Sequence, residues 1–280
     1  MTYFANKSIV ITGAASGIGL SLAKKFLERN AFVVALDLDK KGLQELKDFS
    51  DLGCYWLRTE CLSVCDYLSL EQLTKNLQTK RIGEPQGIDI WINAAGTQSI
   101  GRFDEIGRER FHRIFNVNFS ALVDCTELAL AVMKEQGSGA IVNMASMAGF
   151  VPAPFMASYV ASKHAIVGYT RALQLELDLE KWPLHMMLVS PGFVDTPMTQ
   201  GEAAADQGFP KWLSWMLSKP EVVADQVITG LLKKKREIAP TTNGKIMRFA
   251  HSIAPWQTSR SSRVLLTDSP WSALLGRYNR

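Results

Sequence analysis

Cysteine is scarce in this sequence: Cys54, Cys61, Cys65 and Cys125 are all it has in 280 residues. No two stand at C-x2-C spacing and none has a histidine close by in sequence. That speaks against a metal site or a disulfide framework, and for buried thiols in a reducing cytosol. Charge of one sign is scarce as well, and a formal net charge of +4 is too mild to imply a nucleic-acid partner. No apolar run approaches the ~18 residues of a membrane span. The opening Met1-Thr-Tyr-Phe-Ala-Asn-Lys lacks the layout of a signal peptide, so a cytoplasmic protein is expected. Apolar residues, by contrast, make up 47% of the chain, enough for a sizeable core in one large domain or two small ones.

Short apolar runs alternate with longer helical patterns from residue 8 to residue 192. Ser8-Ile-Val-Ile-Thr12 reads as a buried strand. It leads into Gly13-Ala-Ala-Ser16-Gly17-Ile18-Gly19 and then a helical stretch over 20–30. Glycines let a backbone approach a pyrophosphate closely, and a helix N-terminus offers it unpaired N–H groups. The spacing is G-x3-G-x-G rather than G-x-G-x-x-G, and a plain turn is the alternative. Residues 31–36 form a second strand ending at Asp37. A carboxylate about 20 residues past the glycines can accept both hydroxyls of an adenosine ribose and repels a 2′-phosphate. Neither Ser16 nor Leu38 supplies a compensating positive charge, so NAD is expected over NADP. The alternative for Asp37 is an ordinary helix cap.

A helix over 40–49 and a third strand over 54–61 come next, followed by Ser63 and Val64, where a loop can close over an adenine. A helix is expected over 69–80 and a loop over 83–87. The strand 88–92 ends in Asn93-Ala94-Ala-Gly96, small residues that leave room for a cofactor beside the backbone. Residues 107–136 form a long helical pattern containing Asn116 and Asn118. Asparagine costs helix propensity, and a buried one can bend the helix and hold water. A strand beginning at 139 delivers Ser146, a helix runs from Tyr159 to about residue 182, and the strand 184–190 ends in Pro191-Gly192. This alternation predicts an α/β fold, a Rossmann-like doubly wound parallel sheet. Ligands of such sheets bind at the carboxyl ends of the strands.

The stretch 146–163 carries the candidate chemistry. Pro152 and Pro154 keep its middle from being helix interior. Beyond them Tyr159 and Lys163 are four apart, on one helical face, and a loop can bring Ser146 to the same spot. A free phenol ionises near pH ~10 and an adjacent ammonium lowers that value. Bringing it to about 7 takes roughly 4 kcal/mol of differential interaction. An oxidised nicotinamide ring would add to the effect, and a serine hydroxyl would hold the substrate oxygen while Tyr159 moves its proton. By itself a Tyr-x3-Lys pair is commonplace, and a surface pair is the alternative.

Taken in order, Thr12-Gly-Ala-Ala-Ser-Gly-Ile-Gly19, Asn93-Ala-Ala-Gly96, Asn118, Ser146, Tyr159-x3-Lys163 and Pro191-Gly192 resemble the short-chain dehydrogenase/reductase family over about residues 5 to 200. The resemblance implies a single-domain NAD(H)-dependent oxidoreductase that interconverts a secondary alcohol and a ketone. Tyr159 would be the acid/base, and Lys163 would bind the nicotinamide ribose and lower the phenol pKa. Ser146 would orient the carbonyl or hydroxyl, and Asn118 would hold a water in a proton relay. Pro191, Gly192, Val194 and Thr196 would border the nicotinamide. At the adenine loop Ser63 departs from the aspartate usual in the family. It still accepts a hydrogen bond from the adenine amino group, at a modest cost in affinity. Homodimers or homotetramers are the family's habit, paired through the segments 121–136 and 160–179.

Beyond Thr196 the pattern gives way to a substrate lid over 193–218, with Phe209, Trp212, Trp215 and Met216. With Met147, Phe150, Phe155 and Phe193 it suggests an apolar substrate, although packing of lid on core reads the same way. Lys211 and Glu202 have no assigned place. A helix over 220–235 ends in four consecutive cations that suit its dipole, and residues 237–241 read as a last strand. The family domain is thus drawn as 1–242 and a basic extension as 243–280. The extension holds six Lys/Arg and one Asp, a net +5, so the rest of the chain sums to −1. Its basic amphipathic start, 245–256, followed by Trp271, Leu274 and Leu275, can pack on the body, on a second subunit or on an anionic membrane surface. Two other functions fit the motifs: an NADPH-dependent carbonyl reductase, and a dinucleotide-binding protein with little catalysis.

Overall fold

The structure, a computed structural model, describes residues 3–53, 55–79, 84–200 and 216–258. Its strands are β1 (Ser8–Thr12), β2 (Phe32–Asp37), β3 (Leu57–Cys61), β4 (Ile90–Asn93), β5 (Gly139–Met144), β6 (Leu184–Val189) and β7 (Glu237–Ile238). They form one sheet in the order β3-β2-β1-β4-β5-β6-β7, with every neighbouring pair parallel. The chain runs outward from β1 to β3, then returns to start again at β4 beside β1. The direction of winding therefore reverses between β1 and β4, where crevices form in sheets of this kind.

Side-chain alternation explains why the strands read as unbroken apolar runs. Ile9, Ile11, Val33, Ala35, Ile90, Ile92, Val142 and Met187 face one layer of helices: α1 (Gly17–Leu27), α2 (Lys40–Gly53) and α8 (Pro220–Leu232). Phe26 of α1 is fully buried there, and truncating such a ring costs about 3–5 kcal/mol. Val10, Val34, Leu36, Trp91, Ile141 and Met186 face the other layer: α3 (Tyr67–Gln78), α5 (Ala121–Gln136) and α6 (Ala157–Leu179). The sheet is buried on both faces, which only a helix layer on each side can achieve.

Several boundaries shift from the sequence-based expectation. β7 is two residues long instead of five, because Pro240 has no N–H to donate to a ladder. The long helix 107–136 is divided into α4 (Arg108–Phe115), a π-helical turn over Asn116–Ser120, and α5. Asn118 sits inside that turn and is buried. The stretch 108–136 is also long and apolar enough by composition to cross a membrane, with mean hydropathy 1.2 over its best window. No continuous apolar run underlies that average: Asp124, Thr126 and Glu127 interrupt it. Its apolar side, Leu122, Cys125, Leu128, Ala129 and Val132, is packed into the body of the protein. The segment holding Phe209, Trp212, Trp215, Lys211 and Glu202, and the tail from residue 259 with Trp271, Leu274 and Leu275, lie outside the described residues, as does Cys54.

The first part of the basic extension is ordinary secondary structure. Helix α9 (Thr242–Ile253) follows β7 closely. Ile246, Phe249 and Ile253 lie along its outer face, each more than 60% exposed, while Gly244 is buried against the body.

Candidate active site

The glycine loop is built where the winding reverses. Gly13 adopts φ +68°, and a Cβ there would lie 2.8 Å from the backbone of Ala95. The loop after β1 and the loop after β4 are thus in direct backbone contact. The Thr12 hydroxyl fixes the same junction, accepting from Ala94 N and Ala95 N at 3.1 Å each. Ser16 precedes α1 in extended conformation, and its side chain makes no cap to the helix. The first turn of α1 carries no acidic residue, so no carboxylate within it competes for its N–H groups. That arrangement suits an anion.

Asp37 stands at the end of β2 beside this loop. Its Oδ2 accepts from Ala15 N at 2.9 Å and its Oδ1 from Asp39 N at 3.0 Å. The carboxylate therefore braces the glycine loop, and each oxygen keeps a lone pair for a further donor. Because Asp37 pairs in register with Cys61, Ser63 and Val64 stand two and three residues past the end of β3 on the same edge of the sheet. Ser63 Oγ accepts from Cys65 N at 3.2 Å.

Asn93 departs from its expected place. Its Nδ2 donates to Thr126 Oγ1 (3.1 Å) and Asn143 Oδ1 (2.9 Å), and its Oδ1 accepts from Trp91 Nε1 at 2.7 Å. Asn143 passes the chain on to Thr170 Oγ1 at 3.1 Å. The Asn93 side chain is thus spent on a buried polar network that joins β4 and β5 to α5 and α6, and points away from the cavity. Burial without partners would be costly for every one of these groups.

Ser146, Tyr159 and Lys163 come together as their spacing predicts. Ser146 caps a short 3-10 turn, Met147–Gly149, accepting from Ala148 N at 3.1 Å. Its hydroxyl also hydrogen-bonds the Tyr159 phenol. Lys163 is 5% exposed. Its Nζ donates to Met144 O at 2.9 Å and stands 5.6 Å from the centre of the Tyr159 ring. A Cβ added at Gly96 would be 3.8 Å from that Nζ and 3.4 Å from Asn118 Oδ1. Asn118 itself is held on every side: Oδ1 accepts from Thr97 N at 2.7 Å, and Nδ2 donates to Thr97 O and Ser162 Oγ. Ser162 in turn donates to the Tyr159 carbonyl at 2.7 Å. The π turn is what aims Asn118 at this spot, and such turns recur at functional sites.

Burial dominates the electrostatics. It raises the Tyr159 pKa, against which the Ser146 hydrogen bond pulls downward. It lowers the Lys163 pKa to about 8. Both shifts have one origin, the low polarity around the pair, which disfavours whichever form is charged. The expected depression of the phenol is therefore absent from the chain taken alone: desolvation outweighs the Ser146 hydrogen bond, and Lys163 adds no lowering of its own.

A cavity of about 410 Å³ opens beside this trio. Gly13, Ser16, Gly17, Ile18, Gly19, Ala94, Gly96, Ser146, Tyr159, Pro191, Gly192, Val194 and Thr196 all line it. Asn118 and Lys163 lie buried behind Gly96, and Asp37, Ser63 and Val64 continue outward along the sheet edge. Thr196 meets the glycine loop from the far side: its methyl carbon is 3.0 Å from where a Cβ on Gly17 would be. The deeper walls are apolar, with Ile100, Val151, Phe155, Phe193, Met198, Met216 and Met247. Phe150 is the exception among the expected apolar residues. It faces a separate groove, its ring under the guanidinium groups of Arg171 and Arg248.

Sequence reasoning missed Thr12, Gln98 and Met247. A hydroxyl closing an otherwise apolar strand was the available signal for Thr12. Gln98, bonded to the Met198 carbonyl, and Met247, from α9, are brought to the cavity by long-range packing that leaves no local trace.

The residues present fit a dinucleotide. The bare helix N-terminus and the glycine contact leave space for a pyrophosphate, and Asp37 stands beside that space with acceptor capacity. Comparisons with known proteins agree. The sequence profile of short chain dehydrogenases matches residues 7–207. An uncharacterized oxidoreductase, C162.03, of Schizosaccharomyces pombe is 32% identical over 270 residues, covering 94% of this chain and 82% of its own length. The 3-oxoacyl-[acyl-carrier-protein] reductase FabG of Thermotoga maritima is 29% identical over 224 residues, 79% of this chain and 89% of its own. In structure, a short-chain dehydrogenase/reductase of Burkholderia phymatum in complex with NAD aligns with TM-score 0.78 at 22% identity, over 90% of this chain and 96% of that one. A short-chain dehydrogenase of Sphingobium yanoikuyae in complex with NADPH gives 0.73 at 24% identity, over 94% and 95%. With its sheet order, its glycine loop and the match over residues 7–207 in agreement, this chain belongs to the short-chain dehydrogenase/reductase family of oxidoreductases.

Proposed function

We propose that the protein is an NAD(H)-dependent oxidoreductase that interconverts an apolar secondary alcohol and its ketone. The observation that carries this reading is the meeting of Ser146, Tyr159 and Lys163 with the glycine loop at the mouth of one largely apolar cavity. Bound nicotinamide would supply the hydride acceptor or donor. In this reading Gly13, Ser16, Gly17, Ile18 and Gly19 hold the pyrophosphate, and Asp37 holds the adenosine ribose. Ser63 and Val64 border the adenine. Ala94, Gly96, Pro191, Gly192, Val194 and Thr196 border the nicotinamide half, and Lys163 holds its ribose. Asn93 contributes through the backbone that its buried side chain anchors.

Ser146 orients the substrate oxygen and Tyr159 takes the hydroxyl proton in oxidation or gives it in reduction. Since burial raises the phenol pKa, Tyr159 needs the fixed positive charge of Lys163 together with that of the oxidised cofactor to act as base. Asn118, beside Lys163, would hold a water that relays this proton out of the cavity. The apolar walls, Val151, Phe155, Phe193 and Met216, select substrate by burying hydrocarbon at about 0.8 kcal/mol per methylene.

Reduction of a ketone with NADPH is the second reading. It is favoured by the similarity to a 3-oxoacyl reductase and to an NADPH-bound dehydrogenase. The Asp37 carboxylate at the ribose position argues against a 2′-phosphate. As to organisation, the unit extends in this reading through α9, which adds Met247 to the cavity, rather than ending at residue 242. Pairing into dimers or tetramers would use α5 and α6, on whose outer face Leu175 and Leu179 are exposed. The experiment is a panel of secondary alcohols and ketones of increasing chain length, each assayed with NAD(H) and NADP(H). Turnover that improves with chain length and prefers NAD(H) supports the reading. Preference for NADP(H) overturns the role of Asp37, and tight dinucleotide binding without turnover on any substrate overturns the enzyme.

A further inference from the structure

The loop after β6, from Pro191 to Thr196, lines the nicotinamide-side wall of the cavity; it lies outside the named strands, bridges Ser218 through Val194, and leads into the short helix α7 (Pro197–Gln200). Its backbone groups are satisfied from elsewhere. Pro191 O accepts from Met147 N at 2.8 Å, which ties the loop to the turn that carries Ser146. Gly192 N donates to Thr241 Oγ1 at 2.9 Å. Phe193 O accepts from Asn243 Nδ2 at 3.2 Å, and the same Nδ2 donates to Met216 O at 2.6 Å. Thr241 Oγ1 donates to Asn243 Oδ1 at 2.5 Å and accepts from Gly244 N at 3.1 Å as the cap of α9.

Two side chains in one turn thus join three segments: the loop after β6, the chain at Met216, and the start of α9; the first two also pair by backbone, Ser218 N donating to Phe193 O at 3.0 Å and Asp195 N to Ser218 O at 2.9 Å. The fit is tight. A Cβ on Gly192 would fall 2.0 Å from Asn243 Oδ1, and one on Gly244 would fall 3.0 Å from Gly192 N and 3.3 Å from Met147. The loop is therefore clamped between the turn carrying Ser146 on one side and Thr241–Asn243 on the other. Phe193, Met216 and Met247, which line the cavity, all hang from this clamp.

We propose that Thr241 and Asn243 are positioning residues that set the distance between the Pro191–Phe193 wall and the Ser146–Tyr159 pair, and so select for the nicotinamide half of the cofactor. Neither side chain lines the cavity, and neither takes part in proton transfer. Their effect is to remove freedom from a loop that would otherwise have to be ordered at the expense of binding. The inference rests on the dinucleotide reading given above, and it concerns only one half of the ligand.

That restriction makes the test specific. Dissociation constants are measured for NADH and for ADP-ribose, which lacks the nicotinamide ring, with wild-type protein and with Asn243→Ala, Asn243→Asp, Thr241→Val and Thr241→Ser. Asn243→Ala and Thr241→Val are expected to weaken NADH about tenfold, the effect of a lost hydrogen bond or two. ADP-ribose affinity should stay within about twofold of wild type, and Thr241→Ser, which restores the hydroxyl, should recover NADH binding. Asn243→Asp keeps the oxygen that accepts from Thr241 and loses the two donors, so it should behave like the alanine variant with the fold more securely kept. Equal weakening of both ligands would mean general damage, and unchanged NADH affinity would mean a purely structural turn; either overturns the proposal. Tyr159→Phe separates this from the chemistry: it should bind NADH as wild type does, so loss of its turnover bears on the catalytic reading alone.

Discussion

Lys163 should be a residue that the fold tolerates at a loss. It is 5% exposed, its ammonium donates to Met144 O, and burial lowers its pKa from 10.5 to about 8. Between those two values the unfolded chain holds the proton and the folded chain does not. Stability contributed by this residue therefore rises with pH across that window, and the cost of burying the charge is fully present below about 8. At neutral pH the gap corresponds to about 3 kcal/mol. Lys163→Met has nearly the same length and carries no charge. It recovers that cost and gives up the charge-assisted hydrogen bond to Met144 O, worth about 1.5–3 kcal/mol. The net expectation is a gain of up to about 1.5 kcal/mol at neutral pH, or up to ~5 °C in Tm for a domain of this size. Turnover should be lost in the same variant. Thermal unfolding of both proteins, free of cofactor, across a pH series measures the difference directly. The advantage of the Met variant should shrink as pH approaches 10.5, the ordinary lysine value. A variant less stable than wild type at neutral pH, or a difference that does not change with pH, would refute the reasoning from burial.

Three further outcomes are expected. Asp37→Asn removes the charge that braces Ala15 N and, in the proposed reading, would meet the ribose, so NADH affinity should fall about tenfold while NADPH affinity changes little, closing the gap between them; direct titration of both checks it. The kcat/KM for alcohol oxidation should decline above about 8 as Lys163 loses its charge; a profile with no turn near 8 would remove Lys163 from the proton step. Asn93→Leu should cost about 2–4 kcal/mol of stability, because Asn143, Thr126 and Trp91 lose a buried partner. Its KM for cofactor should stay near wild type, since the side chain faces the core.

Much of this architecture was legible because its signals are local. The glycine loop follows an apolar strand directly, Asp37 ends the next strand, and Tyr159 and Lys163 share one turn of helix. Each needs only a few neighbouring residues to be recognised. The irregularity at Asn118 was legible for the same reason, since asparagine in mid-helix has to be explained by something. Asn93 misled because a small-residue motif fixes the backbone path but not where a side chain points, and its partners, Thr126 and Asn143, come from other elements. The attachment of Thr241 and Asn243 to Gly192 and Phe193 left no trace either: it spans about 50 residues of chain (|i−j| of 49 and 50), and nothing in a Pro-Thr-Thr-Asn-Gly turn announces its target. The phenol is the most instructive case. Counting charges along the sequence predicted a lowered pKa, whereas the packed structure adds a desolvation that the sequence does not display and reverses the balance in the cofactor-free chain.

In the proposed mechanism Tyr159 exchanges the substrate proton inside this cavity. It is tested most directly by comparing single-turnover rates of alcohol oxidation for wild type and Tyr159→Phe, followed by the near-ultraviolet absorbance of reduced nicotinamide, with NADH affinity measured on the same samples. The phenol hydroxyl is the only atom removed, so NADH should bind within about threefold of wild type while the rate falls about 10²–10⁴-fold. A Tyr159→Phe rate within about tenfold of wild type, with cofactor bound, would place the proton transfer on another group.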